Sequence, residues 1–219
     1  LESEEITAML NYYLTEMSVI AFEFGGTIDK YVGDAIVIFF GDPETSGVKE
    51  DARNCVNMAI AMQKKMQELE NQWAQNFGLR EPLQMRIGIN TGYCTVGNFG
   101  SEDRLDYTVI GGQVNLASRL ESITKPGSIL ISFDTHSQIS DEIECIEADT
   151  VQVKGIREEV RTFEVVLDGL NKTEMINMET ENLQCSMDIN RLEIKEIDQL
   201  AKFIEDARQQ VQGNGKKVE

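Results

Sequence analysis

Residues 27–40 read Thr27-Ile28-Asp29-Lys30-Tyr31-Val32-Gly33-Asp34-Ala35-Ile36-Val37-Ile38-Phe39-Phe40. The β-branched and aromatic content on either side of a Gly-Asp pair predicts two strands, Thr27 to Tyr31 and Ala35 to Phe40, joined through Val32-Gly33-Asp34. A link this short joins only antiparallel strands. Upstream, Gly25-Gly26 ends a helix that opens at Ser3-Glu4-Glu5 and carries Ile6, Met9, Leu10, Tyr13, Leu14 and Met17 at helical spacing to about Phe22. Downstream, Gly41-Asp42-Pro43 stops the second strand. The apolar positions Val56, Ala59, Ile60, Met62, Met66 and Leu69 then predict one long amphipathic helix from about Lys49 to Trp73. A second hairpin is expected from Leu83 to Asn90 and Tyr93 to Asn98 around Thr91-Gly92. A helix follows from Asn115 to Ile123, ended by Lys125-Pro126-Gly127, with strands at Ser128 to Ser132 and Val160 to Leu167. Hairpins alternating with covering helices define the class as α+β with a largely antiparallel sheet.

Beyond Asp168 the texture changes. Asn171 to Met187 reads as a polar, unpatterned linker, and Ile197, Leu200, Ile204, Ala207 and Val211 recur at alternating spacings of three and four, which predicts a separate C-terminal helix. That helix suits either packing on its own domain or a short two-chain coiled coil. The expected division is therefore a domain at 1–167 and a linker with helical extension at 168–219.

The 38 acidic against 20 basic residues give a net charge of −18, which argues against a nucleic-acid surface or an anionic membrane face as partner. Any anionic substrate must arrive with a cation or meet a local cluster of Lys and Arg. No apolar run approaches the roughly 18 residues of a membrane span. Cys55, Cys94, Cys145 and Cys185 are widely spaced, and His136 is the single histidine. Neither a zinc knot nor a disulfide framework is available, so a reducing, cytoplasmic setting is expected.

Two segments carry chemistry. Asp34, at the tight turn of the first hairpin, is a hard oxygen donor on a rigid support, suited to a divalent cation; an aspartate after glycine is equally an ordinary turn former. Asn115 and Arg119 lie four apart on one helix, so an amide and a permanent cation leave the same face and could clamp a phosphate, although both residues are common on solvated faces.

Taken together, KYVGDAIVIFFG, MRIGINTG, VGNFGSEDRLDYTVIGGQVNLASRLE and VKG stand in an order and wording that resemble the catalytic domain of the class III nucleotidyl cyclases, over roughly Leu1 to Leu167. The resemblance implies a ferredoxin-like fold with covering helices and conversion of ATP to cyclic AMP and pyrophosphate. By position, Asp34 matches the second of two aspartates that hold two divalent ions, Mg²⁺ or Mn²⁺. Asn115 matches the residue that orients the ribose, and Arg119 the one that stabilises charge on the α-phosphate. Lys30 matches the purine-selecting lysine of adenylyl cyclases, where guanylyl cyclases carry glutamate, and Thr108 matches its partner. A cationic donor suits the adenine N1 acceptor and opposes the N1–H of guanine. Threonine at the partner site resembles the subgroup that includes bicarbonate-responsive cyclases. Lys154 in Val153-Lys154-Gly155 lies near the family's triphosphate-contacting lysine.

The resemblance also implies a homodimer with shared active sites, one copy giving the metal aspartates and the other Lys30, Thr108, Asn115 and Arg119, with regulatory or sensor regions outside this chain. The first metal aspartate belongs to a strand expected upstream of Leu1. Gly112 replaces a commonly acidic position, and Tyr93 stands where some relatives have arginine. A nucleotide-binding or signal-transmitting module without catalysis is the alternative in a different class. Lys30 and the lack of a Gly-Gly-Asp-Glu-Phe signature speak against guanylyl and diguanylate chemistry.

Overall fold

The computed structural model describes residues 3–79, 81–152, 159–167, 175–180, 183–188 and 194–214. The chain divides into two compact units, Leu1–Val166 and Leu167–Glu219.

In the first unit, helix α1 (Ser3–Glu23) leads into strands β1 (Thr27–Val32) and β2 (Ala35–Phe39), which pair antiparallel and close at Val32 opposite Ala35. Gly33 takes φ 64° at the first turn position, where a side chain would be strained. Helix α2 (Val48–Glu68) follows, and then α3 (Glu70–Phe77). The single long helix expected over Lys49 to Trp73 is thus two helices, broken at Leu69. That side chain is buried, and its amide still reaches the Lys65 carbonyl at 3.0 Å. Leu69 stays in the right-handed helical region at φ −81°, ψ −7°, and it and Trp73 are buried in one core.

Strand β3 (Ile87–Ile89) pairs in parallel with β6 (Ile129–Ser132); β6 and β7 (Cys145–Val151) pair antiparallel with β8 (Val160–Val165), giving the order β3-β6-β8-β7. Between β3 and β6 the chain builds a separate hairpin, β4 (Thr95–Ser101) with β5 (Arg104–Ile110), and then helix α4 (Gly112–Ile123); α5 (Phe133–Ile139) follows β6. The hairpin expected around Thr91-Gly92 does not form. The strand after Gly92 pairs with β5 in seven residue pairs across a Glu102-Asp103 turn. Gly92 serves a close approach: a Cβ there would meet the Gln113 side chain at 2.7 Å, where Asn90 Nδ2 donates to Gln113 Oε1 at 2.7 Å.

Two core clusters among the described residues bear on the site. Met17, Ile20 and Ala21 of α1 pack with Met58, Met62, Met66, Leu69 and Trp73, and the partly buried Ile28, Ile36 and Ile38 lay the first hairpin against them. Tyr12 meets Trp73 edge to face, with centroids 5.7 Å apart. Buried Gln63 donates to the carbonyls of Met85 and Ser128 at 2.9 and 3.2 Å, fixing both segments to α2. The second core joins Leu116 and Leu120 of α4 to Leu130 of the four-stranded sheet.

In the second unit, β9 (Met175–Thr180) and β10 (Leu183–Asp188) form an antiparallel hairpin, so the expected unpatterned linker contains paired strands. Helix α6 (Ile194–Asn214) matches the expected C-terminal helix, with Ile197 and Ile204 exposed.

Gly88 decides how close α4 comes to β3. A Cβ on it would lie 2.1 Å from Glu121 N and 2.4 Å from Ala117 O, both backbone atoms of α4. Gly88→Ala must therefore displace the helix. We expect a loss of about 3 kcal/mol in urea unfolding, against a negligible loss for alanine at Gly112, where a Cβ meets open space.

Candidate active site

The two hairpins meet along one seam. From β5, the Tyr107 hydroxyl donates to Asp42 Oδ1, the Thr108 hydroxyl oxygen accepts from Lys30 Nζ at 2.9 Å, and the Val109 amide donates to Asp29 Oδ1 at 3.4 Å. Three consecutive residues of one strand thus hold β1 and the segment that follows β2. The bond to Asp42 pushes the Tyr107 phenol above its ordinary range. Of the positions read from sequence, Lys30 and Thr108 are brought into direct contact. Thr108 is half-buried, while Lys30 keeps its ammonium at the surface.

Asn115 and Arg119 leave α4 one turn apart, on the face beside the buried pair Leu116 and Leu120. Both are exposed, and neither side chain hydrogen-bonds or ion-pairs with a described residue. The helix follows β5 directly through Gly111, so Thr108, Asn115 and Arg119 sit on one continuous strand-to-helix unit. An amide and a guanidinium on one helix face, without side-chain partners among the described residues, are able to donate hydrogen bonds to an anionic group.

Asp34 stands exposed at the β1–β2 turn. Its carboxylate is the right donor for a hard divalent cation. Among the described residues no group of three or more His, Cys, Asp or Glu side chains gathers into a metal site. Lys154 lies outside the described residues. Also among these, no helix is long and apolar enough to cross a membrane.

Sequence reasoning passed over Asp29, Asp42 and Tyr107. Two consecutive charges, Asp29 and Lys30, inside a strand that should alternate were the available signal.

With this geometry established, the comparisons with known proteins fix the family. Residues 1–167 match the adenylate and guanylate cyclase catalytic domain family, and the chain belongs to it. The crystal structure of the adenylyl cyclase CyaB from P. aeruginosa is 50% identical with a TM-score of 0.73, covering 84% of this chain and 87% of that one. That of the guanylyl cyclase Cya2 is 41% identical with a TM-score of 0.70, covering 75% and 82%. The adenylate cyclase of Anabaena cylindrica is 34% identical over 75% of this chain and 33% of its own length. The chain spans between 8% and 33% of three curated adenylate cyclases that it matches. The α+β architecture is thus that of a cyclase catalytic domain, a class whose members act on nucleotides with divalent metals and usually as dimers.

Tyr13 on α1 packs against the first core. Its hydroxyl donates to Met85 Sδ at 3.4 Å. Burial pushes its phenol up to about 12, and the Asp34 carboxylate acts in the same direction. The folded chain therefore keeps a proton that the unfolded chain gives up near pH 10, so this contribution to stability is complete below pH 10 and is lost as the pH rises toward 12. Tyr13→Phe should reduce the fall in urea midpoint between pH 9 and 11, and should cost less than about 1 kcal/mol at pH 7.

Proposed function

We propose that this chain is an adenylyl cyclase catalytic domain that converts ATP to 3′,5′-cyclic AMP and pyrophosphate at sites shared by two copies. The observation that carries this reading is the Lys30–Thr108 pair at 2.9 Å, a donor and an acceptor set side by side. Adenine offers the complementary edge: N1 accepts from the ammonium, and the N6 amino group donates to the free lone pair of the Thr108 hydroxyl. Guanine would set its N1–H against the ammonium, a repulsion of two donors. The same pairing agrees with the Lys/Thr subgroup that includes bicarbonate-responsive cyclases. The 50% identity with an adenylyl cyclase supports the substrate.

The remaining roles follow from the chemistry of the side chains. Asn115 orients the ribose, so that the 3′-oxygen faces the α-phosphorus. Arg119 meets the charge that develops on the α-phosphate during in-line displacement of pyrophosphate, and Lys154 binds the triphosphate. Divalent cations, two Mg²⁺ or Mn²⁺, held in part by Asp34, supply a lowered pKa for the 3′-hydroxyl and neutralise the leaving group. The exposed state of Asn115, Arg119 and Asp34, without hydrogen-bond or ion-pair partners among the described residues, supports completion of the site by a second copy. Synthesis of a diffusible messenger suits a cytoplasmic domain governed by regulatory regions elsewhere in a longer protein.

Cyclic nucleotide formation from ATP and GTP, measured for the wild type, Asp34→Ala and Arg119→Ala, tests the reading. Cyclic AMP should dominate. Arg119→Ala should lower kcat on the order of 100-fold or more with a smaller change in KM, because the lost contact forms mainly in the transition state. Preference for GTP would assign the chain to guanylyl chemistry. No product from either nucleotide would make it a binding or signal-transmitting module.

A further inference from the structure

Strand β1 carries a bulge. Ile28 pairs with Ile38 and Lys30 with the next residue, Val37, which leaves Asp29 as the extra residue without a partner on β2. Bulges of this kind re-aim side chains and are common beside functional sites. Here the Asp29 side chain is only 1% exposed. One oxygen, Oδ1, accepts from the Val109 amide of β5. The other, Oδ2, receives no hydrogen bond, yet it lies 3.2 Å from Lys30 Nζ. This is a charge contact without hydrogen-bond geometry. A buried carboxylate oxygen left this way is costly unless its charge is answered, and the ammonium beside it is the nearest answer.

On these grounds we infer that Asp29 is the positioning residue for Lys30 and thereby sets the purine selectivity of the site, an inference that rests on the base-reading role proposed above for Lys30. A lysine has four side-chain torsions and is a mobile reader when held at one point. Asp29 and Thr108 hold the ammonium at two. The group is then kept where it serves adenine N1 and cannot swing aside to donate to O6 of guanine, so the donor repulsion against guanine N1–H is enforced. Rejection of a wrong base depends on such fixed polar groups, because a reader free to move evades the mismatch. The mature arrangement needs no extra element: one inserted residue in β1 brings the carboxylate under the lysine and ties it to β5.

The test compares ATP and GTP in the full-length protein, by kcat/KM and by equilibrium binding of each nucleotide, for wild type, Asp29→Asn and Lys30→Ala. Asparagine keeps an oxygen for the Val109 amide and removes the charge. Asp29→Asn should lower the ATP-to-GTP ratio about tenfold, through a tighter KM and Kd for GTP as the freed ammonium reaches O6 together with weaker ones for ATP, with kcat for ATP within about twofold. A purely structural role would lower stability and leave the ratio as it was. If Asp29→Asn does not fold, Asp29→Ser, which also offers an oxygen acceptor, is read in the same way. A ratio unchanged in the folded variant, with Lys30→Ala still abolishing discrimination, overturns this inference alone. A ratio unchanged in Lys30→Ala as well overturns the base-reading role together with it.

Discussion

The backbone of α4 rests on β3 at a separation that leaves no room for a side chain at position 88. Everything at the candidate site is referred to that contact. It fixes the height of α4 over the four-stranded sheet, where Leu116 and Leu120 settle on Leu130, and so fixes the direction in which the adjacent positions 115 and 119 point. Gly92 repeats the principle one strand-length away by clearing space for Gln113 at the start of the same helix. One glycine expected inside a strand and one expected at a turn are thus places where two backbones, or a backbone and a side chain, come into contact.

From this helix the chain runs back through Gly111 into β5, and β5 is fastened to the first hairpin by Tyr107, Thr108 and the amide of Val109. Rigid contacts therefore link the phosphate-facing end of the proposed site to its base-facing end: helix on sheet at one end, and strand on strand at the other. Few of these bonds are strong alone. The Lys30–Thr108 bond is exposed and contributes little to stability. Its importance is positional, since it sets a donor beside an acceptor, the pair to which the proposed function assigns the reading of the base.

Much of this was legible before any coordinates. The first hairpin announces itself because Gly33-Asp34 is the kind of pair a two-residue turn requires, and α1 and α4 because their apolar positions keep helical spacing. The motif order identified the family that the comparisons then established. What escaped was governed mostly by tertiary contact. Thr91-Gly92 resembles a hairpin turn, whereas the real turn is Glu102-Asp103, which lacks the glycine that marks such sites. The α2–α3 break carries no proline or glycine at Leu69 and is a local departure of one residue's ψ to −7° within right-handed backbone, which no apolar spacing marks. The strands at 175–180 and 183–188 left one overlooked trace, the alternation of Leu183, Cys185 and Met187. The bulge at Asp29 has no local signature beyond adjacent charges, because a register shift is a property of two strands.

At the site, the residue types Lys30, Thr108, Asn115 and Arg119 were readable, but their incompleteness within one copy was an inference from family likeness. That shared site is the central claim, and mixing two inactive variants tests it most directly. Asp34→Ala and Arg119→Ala each damage both sites of their own homodimer. In a mixed dimer, one site receives intact Asp34 from one copy and intact Arg119 from the other, while the second site receives neither. The account predicts that an equimolar mixture regains about a quarter of wild-type cyclic AMP synthesis, half of the dimers being mixed with one good site each. A mixture no more active than its two components, with mixed dimers demonstrably present, would contradict it.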